Sequence, residues 1–191
     1  VLASAYPVLD EGGIVGGIVG PELSKLTKDL FAATFMASYG SLILFAAASL
    51  LLVRLVEIPP LSEAEHKGGG RPLPAIMAQP VFVVAALGAM VGYGVMNLLM
   101  TATPIAMSHH HHPYPDAAFV IEWHVIGMFA PAFFTGFLVR RFGVLAVMLA
   151  GAALMMACVA IAISGVALPN FWTALVLLGI GWNFLYVGGT T

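Results

Sequence analysis

The sequence predicts an all-α, polytopic membrane bundle, and three observations carry that prediction. First, 61% of the 191 residues are hydrophobic before its 21 glycines are counted, and only 8% are charged; soluble domains average about 45–50% with glycine included and about 25% charged. Second, five apolar runs reach the roughly twenty residues needed to cross hydrocarbon, and a shorter glycine-rich sixth precedes them. Third, most formal charge falls in the breaks between the runs. Nine acidic and seven basic side chains cannot clothe a water-soluble globule of this length. A net charge of −2 offers no basic surface from which a nucleic acid could release counterions, so no nucleic-acid partner is expected. Cys158 stands alone in an apolar run and forms no internal disulfide.

The first helix is expected from Leu9 to Lys25, glycine-rich and with Asp10 and Glu11 at its start. The second spans Phe31 to Val53 and contains LILFAAASLLLV; its roughly eight large apolar residues alone contribute about −2 to −5 kcal/mol to insertion. EIPPLSEAEHKGGGRPLP, Glu57 to Pro74, reads as a solvated linker, because prolines and consecutive glycines deny it regular structure. The third helix starts at Pro80, where a missing N–H costs nothing, and is expected to stop at Thr103 before Pro104. The fourth spans Asp116 to Val139 and the fifth Phe142 to Ser164. The sixth starts after Pro169 with Asn170 as its cap. The first twenty residues lack the basic start of a signal peptide. A chain that begins at Val1 and stops at Thr191 inside an apolar helix reads as a piece of something longer.

Alternating sides place Arg54, Lys67, Arg71, Arg140 and Arg141 together, against Lys25 and Lys28 opposite. Five against two puts the linker and the Arg140-Arg141 turn in the cytoplasm, with Trp172 and the His109 to His112 run at the outer face. The lipid bilayer is thus the first expected partner, in a multi-pass plasma-membrane protein.

Within the helices, Glu122 and His124 are the main ionisable exceptions. Two residues apart, they differ by about 200° around a helix and cannot serve one site. His124 shares its stripe with Gly127, Met128, Pro131 and Thr135 and suits either a polar cavity or a hydrogen-bonded packing role. Glu122 shares its stripe with Ile126, Phe129 and Phe133, and suits either an interfacial anchor or a proton-handling carboxylate. Tyr93, Asn97 and Thr101 recur at spacings of four on the third helix beside Gly94. The sixth repeats the idea with Gly179, Asn183, Tyr186 and Thr190. One such stripe could serve helix pairing at about 0.6–2 kcal/mol per bond, but two on separate helices favour a shared polar cavity.

The four adjacent imidazoles of His109 to His112 could meet a divalent metal, yet a closed site needs ligands at fixed positions, and a solvated loop is the plainer reading. Haem would need a second intramembrane histidine facing His124. No phosphate-cradling glycine motif, nucleophile elbow or HExxH occurs. No metal, no cofactor and no enzyme chemistry are expected.

GFLVRRFG, Gly136 to Gly143, resembles the GxLxDRxGR loop signature of the major facilitator superfamily in its second-half copy, with Gly136, Arg140, Arg141 and Gly143 as the gating loop. Arg140 stands where that signature has aspartate. Gly12, Gly16, Gly20 and Pro21 resemble the glycine-spaced packing signature of the family's fifth helix, with Leu23 and Ser24 in place of its following glycine pair. QPVFVVAALGAMVGYGVMNLLMTATPIAM, EWHVIGMFAPAFFTGFLVRRFG and LGIGWNFLYVGGTT are similar to a bacterial permease subgroup of the same superfamily. The resemblance covers nearly the whole chain and implies transmembrane helices five to ten of twelve. Residues 1–56 are then the last two helices of the N-terminal half, 57–79 the cytoplasmic linker, and 80–191 the first four helices of the C-terminal half.

It also implies alternating access about a midplane site. The expected activity is ion-coupled secondary transport of a small organic solute, with a proton as a candidate coupling ion. Tyr93, Asn97, Thr101, His124, Asn183 and Tyr186 are the expected substrate-facing residues. The remaining transmembrane helices of a full-length chain complete the cavity. Two alternatives stay open: a transition-metal exporter using the His-rich outer loop, and a non-transporting receptor or assembly protein on the same fold.

Overall fold

The computed structural model describes residues 6–55 and 72–190, with side chains from residue 12 onward. All its regular elements there are helices: α1 (Tyr6–Thr27), α2 (Met36–Val53), α3 (Leu73–Met77), α4 (Pro80–His109), α5 (Tyr114–Phe129), α6 (Ala132–Phe142), α7 (Val144–Ser164) and α8 (Leu168–Thr190). Most of the expected linker, with Lys67 and Arg71, lies outside the described residues. Among those described, α2, α4, α7 and α8 are long and apolar enough to cross a membrane, and α5 with α6 makes a fifth span if the bent pair is one crossing. The expected count of six is therefore not reached on length and apolarity. Although α1 is 22 residues long, it carries Asp10, Glu11, Glu22 and Lys25.

Helix boundaries differ from expectation at four places. Helix α2 starts at Met36 rather than Phe31, because Phe35 takes a left-handed backbone (φ 66) and its N–H closes a turn onto the Lys28 carbonyl at 2.6 Å. Helix α4 continues through Pro104 to His109 for 30 residues. Proline removes one hydrogen bond, but transmembrane helices tolerate it when neighbouring groups hold the rod, and Thr103 and Met107 on either side of Pro104 are both buried. At 1.5 Å per residue α4 is about 45 Å long, longer than a hydrocarbon layer of about 30 Å. The expected fourth helix is two: α5 and α6 meet at Ala130-Pro131 with a 43° bend, since Pro131 has no N–H with which to continue the ladder. Asn170 lies inside α8 instead of capping it, and its amide donates to Ser164 Oγ at 3.1 Å across the α7–α8 turn.

Helices α6 and α7 are joined through Gly143 alone, at φ 85 and ψ 155, a conformation open in practice only to glycine.

The chain divides into two compact units, residues 26–82 and residues 1–25 with 83–191. In the first, α2 has no buried residue. In the second, α8 is the axis: Phe171, Ala174, Leu175, Leu178, Trp182, Asn183 and Leu185 are buried along it. Its neighbours α5 and α7 touch it backbone to backbone. A methyl group on Gly179 would collide with the His124 carbonyl and lie 2.9 Å from Gly127 C, while one on Gly151 would lie 2.8 Å from the Gly181 carbonyl. Small residues at a crossing let two membrane helices approach this closely. Near one end, Trp123 meets Trp172 edge-on at 5.7 Å and Phe119 at 6.3 Å, an aromatic group of the kind favoured at a membrane interface.

Helix α1 packs on α5 with a face other than the Gly12, Gly16 and Gly20 stripe. Phe129 and Val125 fill the spaces beside Gly13 and Gly17, whereas no atom lies within 4 Å of a methyl group placed on Gly12, Gly16 or Gly20. The doublets Gly12-Gly13 and Gly16-Gly17 create two glycine ladders about 100° apart, and the meeting with α5 uses the second. Gly20 and Pro21 instead border a cavity of about 290 Å³ with Ser24, Pro104 and Tyr114.

Gly179→Ala is expected to lower unfolding free energy by about 1–3 kcal/mol, because the backbones of α5 and α8 must separate to admit the methyl group. Gly12→Ala should leave stability unchanged or raise it. Thermal midpoints of the detergent-solubilised protein check both.

Candidate functional site

The stripe on α4 faces outward: Tyr93 is 54% exposed and Asn97 and Thr101 are exposed as well. Successive members lie about 6 Å apart along the axis, one turn each. Opposite them on α8, Tyr186 is 44% exposed. Trp182, a residue the sequence reading did not single out, joins the two helices. Its ring stacks on Tyr186 at 4.7 Å and 11° and meets Tyr93 at 6.5 Å and 55°. The spacing of four between Trp182 and Tyr186, which puts two rings on one helical face, was the available signal.

The other two expected residues sit elsewhere. His124 is fully buried, and its Nδ1 lies 2.9 Å from the Leu175 carbonyl. A carbonyl only accepts, so Nδ1 carries the proton in that bond. Nε2 is buried without a hydrogen-bond partner among the described residues. Asn183 is 3% exposed. Its Nδ2 donates to the Met128 carbonyl at 2.7 Å, and its Oδ1 faces the Thr135 hydroxyl at 2.7 Å, which also lies 2.7 Å from the Pro131 carbonyl. Met128 and Pro131 flank the α5–α6 break, so Asn183 occupies polar backbone that the bend exposes. His124 and Asn183 therefore tie α8 to α5 and α6, while Tyr93, Asn97, Thr101 and Tyr186 form the exposed face.

Glu122 is paired across helices: its Oε1 is 3.1 Å from Lys25 Nζ on α1, and Lys25 also pairs with Glu22. Beside this pair Ser24 Oγ and Tyr114 Oη lie 2.6 Å apart. The end of α1 is thus fastened to α5 by one ion pair and one hydroxyl contact. Arg140 and Arg141 of the expected gating loop are exposed, and the Arg141 guanidinium lies 5.5 Å from the centre of the Phe142 ring. Gly136 is exposed with open space around it.

In the histidine run, His112 Nε2 donates to the Val166 carbonyl at 2.8 Å, its Nδ1 is 3.9 Å from Asp116, and its ring meets Phe171 edge-on at 5.6 Å. Among the described residues no three His, Cys, Asp or Glu side chains are grouped to hold a metal ion. The contacts of His112 link the start of α5 to the α7–α8 turn.

The known proteins that the chain resembles are transporters. Over 184 residues, 94% of the chain and 46% of the relative, it is 41% identical to the riboflavin transporter RfnT of Brucella anthropi. It is 31% identical over 195 residues to the MFS-type transporter YddS of Bacillus subtilis, 92% and 44% respectively, and 28% identical over 201 residues to YdeG of the same organism. The fold is of the major facilitator type. The chain spans about half the length of the curated relatives it matches. No family model matches it, and no solved structure does. Its apolar helices make it a multi-pass membrane protein.

Asn183→Leu should destabilise the bundle by about 1–3 kcal/mol, since Thr135 and the Met128 carbonyl lose their partner in a buried place. Thr135→Val should cost less, and the double variant less than the sum, as read from unfolding in detergent. Replacing His109 to His112 by serine should leave cellular tolerance to transition metals unchanged.

Proposed function

We propose that the chain is part of a secondary active transporter that moves a small organic solute by alternating access, coupled to an ion, in the bacterial inner membrane. The observation that carries this reading is the face made by Tyr93, Asn97 and Thr101 on α4 with Tyr186 on α8. Hydrogen-bonding side chains at that depth of an apolar rod are costly in lipid and favour a wetted path or another helix. The 41% identity to a riboflavin transporter supports an organic solute over a metal ion and makes riboflavin the first candidate. A proton is the coupling ion we favour.

The domain organisation proposed is 1–56 and 80–191 as parts of two helical halves joined by 57–79, with the linker and the Arg140-Arg141 turn cytoplasmic. On that organisation α1 belongs to one half and α5 to the other. Their contacts, Gly13 with Phe129, Gly17 with Val125 and Lys25 with Glu122, then lie between the halves that rock.

The full-length protein carrying Asn97→Leu should reach the membrane in normal amount and lose most of its riboflavin flux, tenfold or more, in vesicles on the order of the loss from one removed polar contact. Unaltered flux would remove Asn97 from the path. A membrane-inserted wild type that moves no solute across the bilayer would favour a receptor or assembly role.

A further inference from the structure

Several features of the fold carry nothing further. The open Gly12, Gly16 and Gly20 ladder has no ligand-like feature beside it, and the cavity at Gly20 is lined almost entirely by apolar groups. In the histidine run, His112 is engaged with the α7–α8 turn, and no metal-holding group forms there among the described residues. The aromatic group between α4 and α8 is different, because it combines shape and exposure with hydrogen-bonding side chains along the same face.

Trp182 and Tyr186 are stacked near-parallel at 4.7 Å and 11°. Trp182 is 8% exposed and forms the back of the stack, while Tyr186 is 44% exposed and forms its front. Tyr93 stands beside the pair at 55° to the indole plane and is itself 54% exposed. A flat base with a tilted side wall fits a flat ring better than a branched aliphatic group, because offset stacking and edge-to-face contact both act on it. The indole Nε1 of Trp182 is buried and has no hydrogen-bond acceptor among the described residues, although buried donors are nearly always satisfied. Being buried, that donor is out of reach of a solute on the exposed face, which offers ring faces and edges. Farther along α4, Asn97 and Thr101 continue the same face at about 6 and 12 Å from Tyr93, which places hydrogen-bonding groups beyond the aromatic floor.

We propose that Trp182, Tyr186 and Tyr93 form a stacking platform for a flat conjugated ring, and that Asn97 and Thr101 hold a hydroxyl-bearing chain attached to that ring. The solute class is thus an amphiphilic aromatic: ring on the α8 side, polar tail along α4. The proposal rests on the transport reading for the identity of this face as a solute path, but ring binding can be measured without transport.

The test uses the purified full-length protein and three probes: riboflavin, lumichrome as the ring without its polyol tail, and ribitol as the tail without its ring. Riboflavin and lumichrome should bind in calorimetry and ribitol should not. Tyr186→Leu should weaken both ring ligands about tenfold or more, as loss of an aromatic stacking partner does, and Tyr186→Phe should restore binding. Asn97→Leu should weaken riboflavin and leave lumichrome unchanged. Tyr186 is exposed enough that Tyr186→Leu should keep the wild-type thermal midpoint, which separates a lost contact from a lost fold. Lumichrome binding that Tyr186→Leu leaves at wild-type strength, or no binding of either ring ligand, overturns the platform. Flux of riboflavin in vesicles is read separately. Ring binding sensitive to Tyr186→Leu without flux upholds the platform and sinks the transport reading, whereas flux that Tyr186→Leu does not alter upholds transport and sinks the platform.

Discussion

Close approach of α8 to its two neighbours is the constraint on which the larger unit depends. In hydrocarbon, apolar side chains gain nothing by leaving water, so helices hold together through dense contact and hydrogen bonds between them. Gly179 against the His124 carbonyl and Gly127 on one side, and Gly181 against Gly151 on the other, bring three backbones within contact distance. That proximity lets the short Asn183 side chain reach the Met128 carbonyl and lets the His124 ring reach the Leu175 carbonyl. With side chains larger than hydrogen at the crossings, neither bond could span the gap.

The bend at Pro131 and the amide of Asn183 form one structural arrangement. A proline in a membrane helix leaves backbone carbonyls without donors, and those carbonyls are costly to leave bare where water is absent. Asn183 supplies a donor to one, and Thr135 turns its hydroxyl between the Pro131 carbonyl and the Asn183 oxygen. With Asn183 so engaged, the exposed polar surface of α8 begins at Tyr186, backed by Trp182. The Lys25–Glu122 pair solves a similar problem at the α1–α5 contact, because a carboxylate near the bilayer is tolerable when a cation on the next helix partners it.

Much of this was legible in the amino acids. Composition and run length announced a helical membrane protein, because a 30 Å hydrocarbon layer sets both the length and the polarity of what crosses it. The polar stripe Tyr93-Asn97-Thr101 was readable from spacing alone and is exposed as one face of α4. His124 was left between cavity and packing roles, and the structure places it in a packing contact. Less legible were helix ends and partners. Pro104 looked like a stop and is interior, since local proline chemistry says nothing about whether Thr103 and Met107 will be buried. Asn183 looked like a cavity residue, and only the neighbouring break at Pro131 shows what its amide meets.

The glycine ladders of α1 mark the boundary most plainly. Sequence alone determined that glycines would recur along residues 12 to 20, that charge would gather outside the apolar runs, and that aromatic and amide side chains would recur at fourfold spacing on α4 and α8. Which ladder of α1 meets α5, which polar residues are consumed in holding helices together, and that Trp182 would join Tyr93 to Tyr186 were decided only in the tertiary structure. Periodicity specifies the face of a helix on which a residue lies, but the neighbour that face meets depends on how the other helices pack against it.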